Sequence, residues 1–353
     1  MEEKMRSRTI VATPPGATIR EQLQLRGMSQ KEFAQRMDLT QKHTSHVING
    51  EVAITPAVAL KLESVLGVPA EYWMNLESIY RAKLLRAQEE EQMDGECALL
   101  KLLPYKELSK LGWIEDAKDM IQRVINLRQF FEVSSLTLLD NARIPGIAYR
   151  MLTAKENVDY KLVAWSQKAK LEARKASTKR INLQMLESIL PQLRLMTLQT
   201  PDAFFPVLKE SLANCGIALV VLPHIGGSFL HGATFYDGDK IVLGVTIRGK
   251  DADKFWFSLF HEIGHVLKGH IGQPEAAGNE DTADHFAADA LINPAHYAAF
   301  IRRGEYSREA IQEFAQMAKI DRGIVVGRLQ KDKRIEHSQL NDLKTKYQAN
   351  LVN

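Results

Sequence analysis

The sequence predicts a mainly α chain carrying one small β-sheet, an α+β arrangement with five short helices at its N-terminus. Three observations predict it. Apolar residues recur at helical spacing over most of the chain, as at Met120, Val124, Leu127 and Phe131. One block departs from that spacing. GIALVVLP (216–223), SFLHGATFYD (228–237) and KIVLGVTI (240–247) are short strand-like runs, and Asp237-Gly238 gives a hairpin signal between the last two. After Gly249 the helical spacing resumes to the end. The 353 residues, 45% apolar and 25% charged, are enough for two or three domains of about 150 residues and exclude wholesale disorder.

Residues 1–16 read as a tail closed by Pro14-Pro15-Gly16. Helices are expected near 18–26, 30–37, 41–48, 56–66 and 70–85, within a domain spanning 17–90. Ser29 precedes the second helix with Glu32 three residues on, a capping-box spacing. Thr40 can cap the third helix, and Thr55-Pro56 opens the fourth with proline at its tolerated position. Gly27, Gly50 and Gly67 stand where helices end. Leu23, Phe33, Ala34, Met37, Val47, Ile48, Leu60, Leu62 and Leu66 are the expected core.

The second and third helices, joined by Met37-Asp38-Leu39, form a helix-turn-helix pattern. The third helix shows Gln41, Lys42, Ser45 and His46 on one face and buries Thr44, Val47 and Ile48 on the other. Amide and cationic tips of this kind pair with base edges in a major groove. A small helical bundle that contacts only protein would carry the same core.

The stretch from Met28 to Glu77 resembles the XRE/Cro-type helix-turn-helix, and within it the HigA antitoxin branch, through Ile54-Thr55-Pro56 and the later Leu66-Gly67, Pro69, Trp73 and Asn75-Leu76. The resemblance covers about residues 13–85. It implies that Gln30 contacts the DNA backbone or an adjacent base. Gln41, Lys42 and His46 would reach bases, with Ser45 on the same face, and Asn49 a phosphate. Double-stranded operator DNA is then the expected partner, bound by a homodimer on a twofold site.

The charged stretch 86–96 is expected as the end of a helix running into a linker. Residues 97–200 read as a helical connector without a motif. Its basic run, 168–180, holds six cationic residues and one acid, and reads either as a solvated helix face or as a phosphate contact.

His261-Glu262-Ile263-Gly264-His265 carries two histidines one helical turn apart, so both imidazoles can face one metal ion. Glu262 stands beside the first as a general base rather than a ligand. Taken alone, the same five residues also fit an ordinary buried helix. A catalytic zinc needs a third protein ligand. The HExxHxxGxxH register fails, because Lys268 and Ile271 stand at its glycine and histidine positions and His270 is one residue out. A following helix, NEDTADHFAADALINP (279–294), offers Glu280 as the third ligand. Asp284 on the same face is placed to bond a ligand histidine. His224, His231, His285, His296 and His337 read as surface or packing residues. His231 and Tyr236 stay unassigned as oxyanion donors.

These two blocks together resemble the ImmA/IrrE-type metallopeptidases, with HExxH followed by Glu280, Ala283, Asp284, Phe286, Ala287, Leu291 and Pro294. Thr282 stands where that pattern usually has a second glutamate. The resemblance covers about residues 200–330 and implies a zincin-like domain, 201–335, with Zn²⁺ as cofactor and a protein substrate. A helix or tail, 336–353, would follow. The combined expectation is a DNA-binding regulator fused to a zinc endopeptidase that cleaves a partner regulator or itself. The alternative is a HigA-like antitoxin that binds operator DNA and a toxin, with a non-proteolytic docking or sensor domain.

Two cysteines, Cys97 and Cys215, exclude a disulfide framework and a four-cysteine zinc site. No apolar run has the length of a membrane span or a signal-peptide core, so a cytoplasmic protein without a membrane partner is expected. The net charge of +3 hides an uneven distribution. Residues 101–215 carry 18 cationic and 12 acidic groups, whereas 216–293 carry 5 and 10.

Overall fold

The computed structural model describes residues 12–93, 95–139, 160–226, 232–246, 251–271 and 278–347. It is mostly helical and holds, among the described residues, one three-stranded sheet. The chain divides into two compact units, Met1–Ala98 and Leu99–Asn353.

In the first unit α1 (Gly16–Leu25), α2 (Gln30–Arg36), α3 (Gln41–Ile48), α4 (Pro56–Leu66) and α5 (Ala70–Met93) follow one another. The caps act as the sequence predicts. Ser29 Oγ accepts from the Glu32 amide at 3.2 Å, Thr40 Oγ1 from His43 at 3.2 Å, and Thr55 Oγ1 from Val58 at 3.3 Å. Each bond satisfies an amide that the helix itself leaves unpaired. The core gathers Ile19, Leu23, Phe33, Met37, Val47, Ile48, Leu62 and Trp73. Leu60 is a correction: it is 59% exposed. The buried stripe of α4 is Ala59, Leu62 and Leu66, and Leu60 is turned off it. The charged stretch expected to lead into a linker is helical through Met93, and a 3₁₀ turn, Glu96–Lys101, follows.

The second unit takes in everything from Leu99, so the stretch expected as a separate connector shares a unit with the sheet. Its helices are α6 (Tyr105–Lys110), α7 (Met120–Phe131), α8 (Tyr160–Ala173), α9 (Leu183–Leu195) and α10 (Pro201–Asn214). In α7 the stripe is Val124, Leu127 and Phe131, while Met120, at the helix start, is 52% exposed. The strands are β1 (Ile217–Leu222), β2 (Gly232–Asp237) and β3 (Lys240–Thr246), in the order β1-β3-β2. β1 runs parallel to β3 with Ile217 opposite Ile241, and β2 runs antiparallel to it with Asp237 opposite Lys240. The hairpin turn is Gly238-Asp239, with Gly238 at φ 64. The expected strand residues 228–231 and 247, and His231 with them, lie outside the described residues.

Every residue of β1 is buried, which requires cover on both faces. Ile217, Leu219 and Val221 with Ile241, Leu243 and Val245 enter the main core together with residues of α9 to α11. On the opposite face Trp165 of α8 lies against Gly244 and donates to the Pro223 carbonyl at 3.2 Å. The helices after the sheet are α11 (Ala252–Leu267), α12 (Asn279–Leu291), α13 (Pro294–Arg303), α14 (Arg308–Ala318) and α15 (Arg322–Lys331).

The final segment, expected as a helix or tail, differs. A 3₁₀ turn, Asn341–Leu343, leads into a short strap that is fastened to the start of α11. The Ala252 amide donates to the Thr345 carbonyl at 2.9 Å, and Lys344 Nζ pairs with Asp253 Oδ2 at 2.8 Å. Trp256 Nε1 donates to the Tyr347 hydroxyl at 2.6 Å. Among the described residues, no helix is long and apolar enough to cross a membrane.

Candidate functional site

Two groups of polar side chains stand out, one in each unit. In the first unit α2 and α3 meet through a turn in which Asp38 adopts a left-handed conformation, φ 49, and Lys61 Nζ donates to its carbonyl at 3.1 Å. α3 buries Thr44, Val47 and Ile48. Gln41, Lys42 and Asn49 are exposed and Ser45 and His46 half-buried, so this face of α3 carries the polar tips that the sequence predicts for it. Gln30, at the start of α2, is exposed as well.

The end of α3 is a paired-bond cap of the Schellman type. The Gly50 amide donates to the Val47 carbonyl at 3.1 Å, and the Glu51 amide to the His46 carbonyl at 2.9 Å. The Glu51 carboxylate meets His46 Nδ1 and accepts from Asn49 Nδ2 at 3.3 Å. The His46 bond and then the Asn49 bond hold the Glu51 carboxyl below its ordinary value. Glu51 carries no sequence signal of its own. The basic run of the second unit is engaged in internal pairs. Lys168 and Lys175 bond Glu172 at 2.7 and 2.8 Å, and Lys170 bonds Asp237 at 3.3 Å. Of the three, only Lys175 has an exposed side chain; Lys168 and Lys170 are 20% and 17% accessible and serve as internal ion-pair partners.

In the second unit α11 carries His261, Glu262 and His265, and α12 carries Glu280 and Asp284. The two helices approach closely at Gly264. A Cβ there would lie 3.0 Å from Phe286 Cδ1 and 3.3 Å from Ala283 Cα, so any larger residue would push α12 away. That approach brings α12's carboxylates to α11's imidazoles. His261 Nε2 and His265 Nε2 stand 3.0 Å apart, with Glu280 oxygens 3.2 and 3.3 Å from them. One ligand atom from each of the three residues lies within 4.8 Å of the others.

These separations fit one metal ion. A tetrahedral zinc with bonds of about 2.0–2.2 Å sets its ligand atoms about 3.3 Å apart. His261 Nδ1 bonds Asp284 Oδ1 at 2.8 Å. A carboxylate acceptor makes Nδ1 the protonated nitrogen and leaves the Nε2 lone pair facing the cluster. Burial alone would lower the His261 imidazole. Its bonds to Asp284 and Glu280 and the charge of Glu262 outweigh that and lift it to about 9. The acidic surroundings that hold a proton there suit a dication equally well.

Glu262 is buried, 2% exposed, and its carboxylate accepts from the Thr234 hydroxyl of β2. Gly232 lies flush against it, and a Cβ there would sit 2.5 Å from Glu262 Oε1. Neither β2 residue carries a sequence signal. Lys331 of α15 pairs with Asp284 Oδ2 at 2.7 Å and lies 4.2 Å from the Phe257 ring centroid. His270 Nδ1 faces His265 Nδ1 at 3.1 Å. Burial and then the neighbouring His265 charge lower His270 below the ordinary imidazole value. By sequence, His270 is set aside as one residue out of the third-ligand register. His285, His296 and His337 are exposed, as expected, and Tyr236 is 48% exposed.

Comparison with known proteins bears on the first of these sites. The helix-turn-helix family model matches residues 19–73. An uncharacterised HTH-type transcriptional regulator of Escherichia coli strain K12, YddM, is 35% identical over 66 residues, which is 19% of this chain and 70% of YddM. The chain belongs to the helix-turn-helix family of transcriptional regulators. A solved structure, an addiction module antidote protein of the HigA family from Coxiella burnetii, is similar at 27% identity and a TM-score of 0.22, over 24% of this chain and 94% of that one. In a helix-turn-helix the second helix of the motif is the one that enters the major groove, and α3 holds that place in the motif here.

Proposed function

We propose that this helix-turn-helix regulator is also a zinc-dependent endopeptidase, its substrate a partner regulator or the chain itself. The observation that carries the reading is the convergence of His261, His265 and Glu280 within 4.8 Å beside the buried Glu262. Two nitrogens and a carboxylate are the ligand set of a catalytic zinc, which keeps one position open. Zinc, when bound, supplies a Lewis acid that polarises water and a scissile carbonyl.

The chain's own residues do the rest. Asp284 orients His261 through Nδ1, and His270 does the same for His265. Thr234 and the backbone at Gly232 hold the Glu262 carboxylate in one position. Glu262 takes the proton from the attacking water on a carboxylate oxygen and passes it to the leaving amide nitrogen. Glu280 is the exposed member, its side chain 55% accessible against 15% for His261, so substrate approaches from its side. In the first unit Gln41, Lys42 and His46 contact bases, Gln30 and Asn49 the backbone, and two copies bind a twofold operator.

The test is direct. Purified protein is expected to hold one zinc per chain and to cleave a co-expressed partner or itself. Glu262→Gln should keep the zinc and lower the cleavage rate by about 10²–10⁴-fold. Cleavage that persists in Glu262→Gln overturns the mechanism. Tight toxin binding without zinc or cleavage replaces it with the antitoxin reading.

A further inference from the structure

We propose that Glu51 is a positioning residue for DNA recognition, holding His46 and Asn49 in the orientation in which α3 reads its site. The inference rests on the DNA-binding reading of α3. The paired-bond cap that ends α3 usually brings two apolar side chains together, one from each end of its longer bond. Here those two residues are Glu51 and His46. The backbone sets the pairing: the His46 carbonyl accepts from the Glu51 amide at 2.9 Å and from the Val52 amide at 3.3 Å. The carboxylate is therefore delivered to the imidazole by the cap, not by the chance meeting of two mobile chains. The same carboxylate accepts from the Asn49 amide at 3.3 Å, and Asn49 Oδ1 accepts from Arg20 Nη1 at 3.5 Å. Two of the polar groups expected to touch DNA thus share one anchor.

A carboxylate on the DNA-facing end of a recognition helix repels phosphates and so weakens binding to every sequence. The geometry offsets that penalty with selectivity. With Nδ1 on Glu51, the opposite ring nitrogen of His46 is the one offered to DNA, in a fixed direction. Side chains ordered before binding lose less freedom on binding. Glu51 should therefore raise affinity for the correct site while lowering it for all others.

The experiment uses the full chain, wild type and the variants Glu51→Gln, Glu51→Ala, and Glu51→Ala in a His46→Ala/Asn49→Ala background. The probes are a duplex selected by the wild-type protein from a randomised pool and a scrambled duplex of the same length, at one fixed salt concentration. Glu51→Ala should weaken binding to the selected duplex about tenfold, the scale of one polar base contact, and leave or strengthen binding to the scrambled one. Glu51→Gln should fall between. In the His46→Ala/Asn49→Ala background the penalty should vanish. Imidazole ¹⁵N shifts of the DNA-free protein should report His46 protonated at Nδ1, and that state should be lost in Glu51→Ala. The proposal is overturned if Glu51→Ala changes both duplexes by the same factor or neither. It is equally overturned if its penalty survives in the His46→Ala/Asn49→Ala background or the His46 shifts do not move. Failure of the wild-type protein to select any duplex would overturn the DNA-binding reading instead.

Discussion

The polar face of α3 and the histidine–carboxylate cluster arrange reactive side chains in opposite ways. The α3 groups come from one helix and its cap, and they stand in solvent, with His46 36% and Glu51 53% accessible at the side chain. The cluster groups come from β2, α11, α12 and α15, and its imidazoles are sunk, His265 to 9%. A surface site of the first kind is set by helical periodicity and one cap, and its side chains contribute little to folding. A composite site of the second kind exists only while several elements pack, so its residues serve stability and chemistry together. Substitutions should therefore separate binding from stability in the first unit and join them in the second.

The largest effect is expected where the second unit is fastened. Lys344 and Asp253 form an ion pair 9% and 8% accessible, between the C-terminal strap and the first turn of α11. Removing one partner leaves a buried charge alone, which costs about 3–5 kcal/mol. Lys344→Met should reduce the unfolding free energy by that amount, read from denaturant titration, and loosen the histidine–carboxylate cluster further along α11. A Lys344→Met protein with unchanged stability and metal content would show that the cluster does not depend on the strap.

The same contrast governs what could be read without a structure. Ser29, Thr40 and Thr55 announced their helices because a cap and the amide it satisfies are three residues apart. The buried and exposed faces of α3 were legible for the same local reason. His261, His265, Glu280 and Asp284 were legible because each pair lies at i and i+4 on one helix. Thr234, Gly232 and Lys331 were not, since their places beside Glu262 and Asp284 follow from strand register and from the packing of α15. Leu60 was misplaced because composition marks it apolar while the geometry of α4 turns it out. The strap was missed because it has no periodicity: Leu343 and Tyr347 are buried against distant elements.

An intermediate effect is expected at Asp284, which bonds His261 Nδ1 on one oxygen and Lys331 on the other. Its carboxylate sits below its ordinary value because the bonds to His261 and Lys331 outweigh the effect of burial. Asp284→Asn keeps the shape and removes the charge that fixes the His261 tautomer. Metal affinity should fall about 10–100-fold, as for other residues that support a ligand histidine. Competition with a chelator measures this. An affinity unchanged in Asp284→Asn would mean that His261 is oriented by packing alone.

The smallest effect on folding, and the cleanest separation, is expected at Gln41 and Lys42. Both are exposed at the start of α3, and neither side chain enters the core of the first unit. Replacing them with alanine disturbs no buried packing and leaves Thr40 as the cap, so stability should shift by no more than about 0.5 kcal/mol. Binding behaves otherwise. If they read bases as proposed, removing either side chain should cost about 1–3 kcal/mol and relax preference at its own position, and loss of the Lys42 charge should also flatten the salt dependence. Thermal unfolding and duplex binding on the same Gln41→Ala/Lys42→Ala protein decide the matter together. A fall in affinity with an unmoved melting temperature is what a one-helix site requires. A fall in both would mean that α3's outer face is coupled to its core, and the contrast between the two sites would then be one of degree.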